Sequence, residues 1–358
     1  MFSEIMSMVS NGNSSFALPG GEVIGNGRTF IIAEIGSNHA SSLDTALASI
    51  DAAALTGADA VKFQSIDLDE LYHEPSAATR ALHAKIDLPE AWHAPLKQRC
   101  DDRGLVFLSS PTYLHAIDVL ESVGVSLYKL ASAQIAVFPQ LVERVAKLGK
   151  PVILSTGLVT QEELDRVVKL FRDAGNEQFV ILHCNSVYPA PAEIVHLPRL
   201  QDHARRYGCL VGFSDHTITN HAAVAAVAMG ASVIERHFTL SRELDSPDAP
   251  LSLEPEEFTA FVAAVREADV LCRPSPRSTL EPDEAGFKAS IGHCLVTTRP
   301  VVAGEKVDEK TTVLKRGNPD AGVDAWFVFE RPQGLKFTRP LAAGAWLVQE
   351  DVISNFAG

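Results

Sequence analysis

The chain has 358 residues, longer than one ordinary domain, and 46% of them are hydrophobic and 21% charged, as in a protein with a packed core. Its 31 basic and 45 acidic residues give a formal charge of −14 without any lysine- or arginine-rich run, so nucleic acid and anionic membranes are excluded as expected partners. The five cysteines form no CxxC pair and are odd in number, which indicates a reducing, cytoplasmic compartment.

Residues 1–28 precede the first long apolar run and contain two different segments. Residues 1–14 have neither a basic start nor a long apolar centre, which is typical of a loose tail and not of a signal peptide. Residues 16–28, FALPGGEVIGNGR, predict a small hairpin that closes the amino-terminal end of the following domain.

One local pattern recurs along the next 240 or so residues: an amphipathic helical stretch, a glycine, and an apolar run shortly afterwards. Glycine just past a helix end relieves the left-handed cap conformation, so each instance predicts a helix-to-strand turn. Together with an opening apolar run, the pattern predicts eight strands, at residues 30–35, 60–63, 106–108, 127–130, 152–154, 180–182, 210–213 and 233–234.

The segments between these runs have helical signals of their own. Thr160 and Glu163 form a capping box, and Pro255 suits the first turn of the helix after the eighth strand. Alternating helices and almost wholly apolar strands indicate a covered parallel sheet, so the predicted fold class is α/β with a (β/α)8 TIM barrel over residues 29–271. An open doubly wound sheet is the alternative, but no glycine-rich dinucleotide fingerprint follows the first strand.

The last part of the chain differs from the rest in composition and sequence pattern. Residues 272–290 are rich in proline, serine and charge and are predicted to be a linker. In residues 291–358 the segment 299–305, RPVVAGE, recurs at 339–345 as RPLAAGA. This duplication predicts a small, pseudo-symmetric, β-rich domain.

The last two predicted strands are each followed closely by a histidine, His216 and His237. If a right-handed helical crossover joins these strands, both imidazoles lie at the same end of the sheet and form a candidate metal site. The alternative interpretation is that each is a hydrogen-bonded or solvated histidine at a strand end.

The other predicted strands also end in polar side chains. Lys62 and Lys129 have apolar neighbours within their strands, so they are expected inside the barrel mouth, where they could hold a phosphate together with Ser132 and Ser155. The alternative is that both are surface lysines. Asp215 and Glu235 are expected to brace the adjacent histidines or loops.

Eight motifs occur in the order and spacing of one known family: EIGSNH, KFQ, YKLAS, LSTG, HCNSVYPAP, FSDHT, ERHFT and SPDAPLSLEP, beginning at residues 34, 62, 128, 154, 183, 213, 235 and 246. On these motifs the chain resembles the sialic acid synthase family, including its spore coat polysaccharide, legionaminate and pseudaminate branches. The resemblance implies condensation of phosphoenolpyruvate with an N-acylated hexosamine to give a nonulosonic acid. It also implies that the tail domain is an antifreeze-like SAF domain.

The resemblance also implies roles for individual residues. His216 and His237 match ligands of a divalent metal, Mn²⁺ or Mg²⁺. Phosphoenolpyruvate-binding positions are Lys62, Gln64, Lys129, Ser132 and Ser155, positions around the sugar acceptor are Glu34, Tyr188, Ser214 and Asp248, and further candidate substrate contacts are Ser110 and Ser186. Arg316 matches an arginine that one subunit places over the barrel of the other, which implies a domain-swapped homodimer.

The chain departs from the family's pattern at three places. Gln134 stands where a glutamate or aspartate is common, and an amide cannot act as a general base. Ser186 replaces the asparagine of the neuraminate enzymes, and the arginine loop has the sequence KRGNPDAG in place of RPGNG. A catalytically weakened or inactive homologue that binds the sugar or phosphoenolpyruvate is therefore an alternative, and an aldolase that accepts pyruvate is a third.

Overall fold

The computed structural model describes residues 15–274, 279–316, 322–331 and 333–354, which form two compact units divided between Arg273 and Pro274. Residues 1–14, 275–278, 317–321, 332 and 355–358 lie outside the described residues, and with them the segment predicted to be an amino-terminal tail. Within the described ranges, no helix combines the length and apolar character that a membrane crossing requires.

A hairpin and a barrel make up the first unit. Its strands are β1 (Phe16–Ala17), β2 (Val23–Ile24), β3 (Phe30–Gly36), β4 (Ala60–Ser65), β5 (Val106–Pro111), β6 (Tyr128–Leu130), β7 (Val152–Ser155), β8 (Phe179–Cys184), β9 (Leu210–Asp215) and β10 (Val233–His237). Its α-helices are α1 (Leu43–Leu55), α2 (Leu68–Leu71), α3 (Ala77–Ile86), α4 (His93–Arg103), α5 (Leu114–Ser122), α6 (Ser132–Ile135), α7 (Pro139–Lys147), α8 (Gln161–Asp173), α9 (Arg199–Tyr207), α10 (His221–Ala228) and α11 (Pro255–Leu271), and its 3-10 turns are Glu90–Trp92, Ala192–Ile194 and Ala249–Leu251.

Strands β3 to β10 form one parallel sheet in the order β5-β4-β3-β10-β9-β8-β7-β6. Because β5 and β6 also lie side by side, the sheet closes on itself. All eight predicted runs overlap these strands, so the predicted TIM barrel is confirmed. The predicted helix ends are present too: Gly104 caps α4 with φ +69°, and the capping box of Thr160 and Glu163 starts α8.

Side-chain alternation along the strands separates two apolar layers. In β3, Ile31, Ala33 and Ile35 pack outward against the helices, whereas Phe30 and Ile32 belong to a smaller cluster inside the barrel. The predicted hairpin is present as the antiparallel pair β1–β2, and Phe16, Leu18 and Ile24 join the inner cluster. The hairpin therefore fills the amino-terminal end of the barrel, and the polar ends of the strands are left at the carboxyl end.

The second unit contains helix α12 (Pro282–Ile291), strands β11 (His293–Thr297), β12 (Lys306–Val307) and β13 (Thr312–Arg316), helix α13 (Ala325–Phe329), strands β14 (Leu335–Phe337) and β15 (Val352–Ser354), and the 3-10 turn Gln349–Asp351. Helix α12 lies mostly within the segment predicted to be a linker, where Pro282 suits its first turn. The strands pair antiparallel as β11–β13 and β12–β14–β15.

The duplicated segments of the second unit pair with each other. Val301 and Leu341, which hold equivalent places in the two copies, exchange backbone hydrogen bonds of 3.0 and 3.2 Å. The equivalent glycines make matching hydrogen bonds. Gly304 N–H donates to Phe337 O, two residues before the second copy, and Gly344 N–H donates to Thr297 O, two residues before the first. The predicted pseudo-symmetry therefore describes a local two-fold arrangement.

Gly212 in β9 provides a test of the inner packing. A Cβ atom at this position would overlap the carbonyl oxygen of Val233 and the side chain of Leu182 on the neighbouring strands. We therefore expect Gly212→Ala to lower the free energy of unfolding of the barrel by about 1–3 kcal/mol, as overpacking of a core does. Differential scanning calorimetry measures the change in the barrel transition.

The matched control is Gly286→Ala in α12, where the added methyl group would meet no atom within 4 Å. Because alanine suits a helix interior, this variant should be as stable as the parent or more stable, by up to about 1 kcal/mol. A barrel transition of Gly212→Ala at the parent temperature would contradict the close packing of β8, β9 and β10.

Candidate active site

Alternation decides which strand-end side chains face the barrel interior. Along β10, Val233 belongs to the inner cluster and Ile234 to the outer one, so Glu235 continues the inner face. The parallel register places Lys62 beside Glu34 and Ser214 beside Glu235. Polar side chains of several strands therefore meet above the apolar inner layer.

Two lysines and two glutamates form a buried network there. Lys62 Nζ lies 2.6 Å from Glu34 Oε2 and 3.9 Å from Glu235 Oε1, and Lys129 Nζ lies 3.2 Å from the same Glu235 oxygen. Each of these residues is at most 5% exposed. The structure therefore brings both predicted lysines into the barrel mouth, with Glu235 between them.

The unequal sharing of carboxylates separates the two lysines electrostatically. Burial lowers the pKa of Lys62, but Glu235 and Glu34 together outweigh it and the net pKa is raised. Burial also lowers the pKa of Lys129, and Glu235 offsets this only in part, so its net pKa stays below the ordinary value. Lys129 is the less satisfied cation of the pair.

Several buried polar atoms at or just after the carboxyl ends of the barrel strands have no hydrogen-bond partner among the described residues. They include Ser110 Oγ, Gln134 Oε1, Ser155 Oγ and Glu235 Oε2. An unsatisfied buried polar group costs about 1–3 kcal/mol, so such a group needs a reason. A polar ligand bound at the carboxyl ends of the strands would provide it.

Ser132 and Ser186 converge on Gly157. The Ser132 hydroxyl accepts a hydrogen bond of 2.8 Å from Gly157 N–H. A Cβ atom at Gly157 would overlap Ser186 Oγ and approach Ser132 Oγ and Cys184 Sγ to 3.0 and 3.1 Å. Glycine is therefore required at this position, because any Cβ atom would displace these three side chains.

The two histidines lie side by side, with ring centroids 5.4 Å apart, and the Tyr188 ring lies 4.2 Å from His216 and 5.9 Å from His237. His216 Nδ1–H donates to Asn185 O at 2.7 Å, which leaves the Nε2 lone pair available. Burial and the neighbouring His237 lower the pKa of His216 to about 3, so the ring is neutral near pH 7.

The donor set fits a divalent cation that keeps open coordination positions. His237 Nδ1 is buried without a partner, and His216 presents a neutral ring nitrogen. Over the described ranges, no group of three or more His, Cys, Asp or Glu side chains could hold a metal. Two imidazoles with the remaining positions left to water or substrate could hold a divalent metal ion, whereas a closed structural zinc site needs four protein ligands.

Acidic and amide groups extend the buried network beyond Glu34, which also pairs with Lys62. Glu34 Oε1 accepts a hydrogen bond of 2.8 Å from Gln64 Nε2, and Asp248 Oδ2 accepts one of 2.9 Å from Ser37 Oγ. All three predicted residues converge on Gly36, whose φ is +54° and where a Cβ atom would lie 2.9–3.3 Å from them. This arrangement of acceptors suits the hydroxyl groups of a sugar.

Two expectations about carboxylates had different outcomes. Asp215 does brace a loop, because it pairs with buried Arg236, which also donates to the carbonyls of Thr217, Ile218 and Thr219. Glu235 was expected to brace a histidine or loop, and this was wrong, since its contacts are with lysines and with Ser214. Alternation along β10 indicates only that Glu235 shares the inner face with Val233 and His237, and it does not indicate which cation on that face Glu235 contacts.

The backbone carbonyl of Asn185, directly after β8, orients His216, a role that the sequence analysis does not assign. A backbone contact of this kind carries no residue-type signal, which is why the sequence did not indicate it. Arg316 lies at the end of β13 in the second unit, where it is exposed. Its predicted place over a partner's barrel stays a prediction.

Comparison with known proteins agrees with this geometry. The profile of the NeuB family matches residues 49–273. Pseudaminic acid synthase of Campylobacter jejuni subsp. jejuni is 33% identical, with 90% of this chain and 96% of the relative covered. The spore coat polysaccharide biosynthesis protein SpsE of Bacillus subtilis is 32% identical, with 90% and 93% covered.

A solved structure of N-acetylneuraminic acid synthetase from Leptospira borgpetersenii, in complex with citrate, superposes with a TM-score of 0.70 at 30% identity. The match covers 78% of this chain and 98% of that one. The resemblance drawn from the eight motifs is thereby confirmed, and the chain belongs to the NeuB family of sialic acid synthases.

Proposed function

We propose that the protein condenses phosphoenolpyruvate with the aldehyde form of an N-acylated hexosamine, giving a nonulosonic acid and phosphate. The observation that carries this proposal is the meeting of two buried lysines with two adjacent imidazoles at one barrel mouth. Relatives named as pseudaminic, legionaminic and neuraminic acid synthases support it.

Phosphoenolpyruvate is assigned to the lysine side of the site. Lys62 and Lys129 bind its phosphate, and Ser132, Ser155 and Gln64 hold its other oxygens. Ser110 and Ser186 line the same region. The unpartnered hydroxyls of Ser110 and Ser155 support this assignment, because a ligand with many acceptor oxygens satisfies them.

The sugar is assigned to the side formed by Glu34, Tyr188, Ser214 and Asp248, whose oxygens orient its hydroxyl groups. His216 and His237 would hold Mn²⁺ or Mg²⁺. When bound, such an ion supplies Lewis-acid polarisation of the aldehyde carbonyl, which is worth several kcal/mol in reactions of this kind.

The covalent changes are one bond made between carbons and one phosphate lost. C3 of phosphoenolpyruvate attacks the aldehyde carbon, and the aldehyde oxygen takes a proton. Water adds at C2, and cleavage of the C2–O bond releases phosphate and leaves the 2-keto acid. The attack through C3 leaves a cationic centre at C2 before this water adds. Burial of Lys62 and Lys129 limits the bulk water that reaches that centre.

The same lysine side also suits a binding protein with little turnover, and Gln134 is the observation that favours this second candidate. Its amide oxygen is buried without a partner, where the family commonly has a carboxylate. General-base catalysis typically raises the rate about 10²- to 10⁴-fold, so loss of the base would lower kcat by a comparable factor. In the proposed enzyme Glu34 takes over this role.

The proposed assembly is a cytoplasmic homodimer in which the tail unit of one subunit, with Arg316, covers the barrel of the other. An apolar rim supports it, because the loops after five successive strands each expose a large aliphatic side chain: Val137, Leu158, Val187, Ile218 and Leu251. Exposed apolar patches of this kind mark interaction surfaces.

The test of the reaction is a panel of acceptors incubated with phosphoenolpyruvate and Mn²⁺: N-acetylmannosamine, its 6-phosphate, and a diacetamido-trideoxyhexose. We expect at least one acceptor to release phosphate and give a product whose mass is that of the acceptor, phosphoenolpyruvate and one water together, less one phosphoric acid. Treatment with EDTA should abolish release, and added Mn²⁺ or Mg²⁺ should restore it. An aldolase would consume pyruvate instead, and sugar binding without any release would favour the binding homologue.

Gln134→Glu separates an intact site from a weakened one. If Glu34 already supplies the base, we expect kcat to change by less than about tenfold. A gain of about 10²-fold or more would show that the missing carboxylate limits turnover and would contradict the proposed role of Glu34. Gln201→Glu makes the same change at an exposed position of α9 and should leave kcat unaltered.

The dimer is tested by light scattering on the full chain, which should give twice the mass of one chain. Val137→Lys with Leu158→Lys places two charges on the apolar rim, so we expect a shift toward monomer and a fall in kcat. Leu55→Lys, at the end of α1 and 87% exposed, is the control and should stay dimeric. A monomeric parent would contradict the assembly.

A further inference from the structure

Asn38, in the motif EIGSNH, is a fully buried amide that follows β3 at the carboxyl end of the barrel and has no part in the reaction described above. Its amide nitrogen donates to Phe238 O at 2.9 Å and to Ser252 Oγ at 2.8 Å. Its amide oxygen accepts a hydrogen bond of 2.9 Å from Ser246 Oγ. All three contacts are with residues 238–252, the loop after β10, so the side chain joins two segments that are distant in sequence.

The bond to Phe238 continues the pairing of β3 with β10. The last pair in the parallel register is Glu34 with His237, and Phe238 N–H donates to Glu34 O. The strand β3 ends at Gly36, and the Asn38 side chain then donates to Phe238 O, where a main-chain donor would otherwise be needed. A side chain of the β3 end thus holds the start of the loop after β10.

The same loop carries Asp248, which two serine hydroxyls hold. Ser252 Oγ donates to Asp248 O at 2.7 Å, and Ser37 Oγ donates to Asp248 Oδ2 at 2.9 Å. Ser252 is also a partner of the Asn38 amide, as is Ser246, two residues before Asp248. Asn38 therefore fixes the chain on both sides of Asp248.

The turn after Asn38 has a backbone conformation that residues with a Cβ atom rarely adopt. Ala40 and Ser41 have φ of +46° and +52°. His39 supports this turn, because its Nδ1 accepts from Ser41 N–H at 3.1 Å and its carbonyl accepts from Ser42 N–H at 2.9 Å. Such conformations persist where the surrounding structure fixes them, and they cluster at ligand sites.

We infer that Asn38 is a positioning residue for the acceptor sugar: it holds the loop after β10 so that the Asp248 carboxylate keeps its place in the site. This inference rests on the proposed function, since that function assigns Asp248 to the sugar. A buried amide suits the role because its two donors and its acceptor have fixed directions. A displacement of about 1 Å at a substrate-positioning group can lower a rate about 10²-fold.

The first experiment is independent of the reaction and measures amide hydrogen exchange by mass spectrometry in Asn38→Ala. We expect peptides from residues 238–253 to exchange at least about tenfold faster than in the parent, because the loop loses its bonds to β3. Peptides from β6 and β7 should exchange as in the parent. Unchanged exchange in residues 238–253 would overturn the inference, whether or not the protein is a synthase.

Asn176→Ala is the matched control. Asn176 is also buried, its amide donates to Ala146 O at 3.3 Å and Lys150 O at 2.9 Å, and it accepts from Gln178 N–H at 3.0 Å. It precedes β8 and therefore lies at the amino-terminal end of the barrel. This variant should leave exchange in residues 238–253 and kcat/KM unaltered.

The second experiment separates the positioning of Asp248 from general damage. In Asn38→Ala we expect kcat/KM for the acceptor that releases most phosphate to fall about 10- to 100-fold, while KM for phosphoenolpyruvate stays within about threefold. Phosphoenolpyruvate is assigned to residues of β4, β6, α6 and β7. Because Asn38 acts through Asp248, kcat/KM of the double variant with Asp248→Ala should be no more than about threefold below that of Asp248→Ala alone.

Multiplied losses in the double variant, or an equal rise in KM for phosphoenolpyruvate, would overturn the inference. Should Asn38→Ala fail to fold, Ser246→Ala and Ser252→Ala each remove one hydroxyl partner of the amide. Each should lower kcat/KM about 3- to 10-fold and speed exchange in residues 238–253, and parent behaviour of both would overturn the inference. If no acceptor releases phosphate, the proposed function is refuted, and the exchange experiment alone decides whether Asn38 fixes the loop.

Discussion

Four buried ions at the carboxyl end of the barrel have to balance one another before any substrate arrives. Removing an ion from water costs several kcal/mol unless a partner compensates, and here two lysines are matched by two glutamates. Glu235 is the shared partner, so Lys62 has two carboxylates nearby and Lys129 has one. The network is therefore neutral as a whole but leaves one ammonium group under-compensated, which is a suitable starting point for binding an anion.

The strands β9 and β10 carry charged side chains on both faces. On the inner face Glu235 forms ion pairs with the two lysines. On the outer face Asp215 and Arg236 pair with each other and are buried next to Phe261 of α11. The outer pair fixes the loop at residues 217–219 through its carbonyls. That loop directly follows His216, so the position of the imidazole depends on an interaction on the opposite side of the sheet wall.

The barrel was predictable because each helix-to-strand turn repeats one local signal, a glycine with positive φ before an apolar run. The polar strand ends followed from the architecture, which is why Lys62, Lys129, His216 and His237 were found. The partner of each ion was not predictable, since Glu235 could face a lysine or a histidine until side-chain positions were known. Helix α12 was missed because proline and serine dominate the composition of the preceding segment.

The crossed hydrogen bonds of the second unit have a consequence for its origin. The N–H groups of Val301 and Gly304 donate to Leu341 of the other copy and to Phe337 just before it, and those of Leu341 and Gly344 donate to Val301 and Thr297 in the equivalent way. A peptide with one copy alone would leave these groups unmatched unless two such peptides associated. The unit is thus equivalent to a dimer fused into one polypeptide, in which each half completes the fold of its twin.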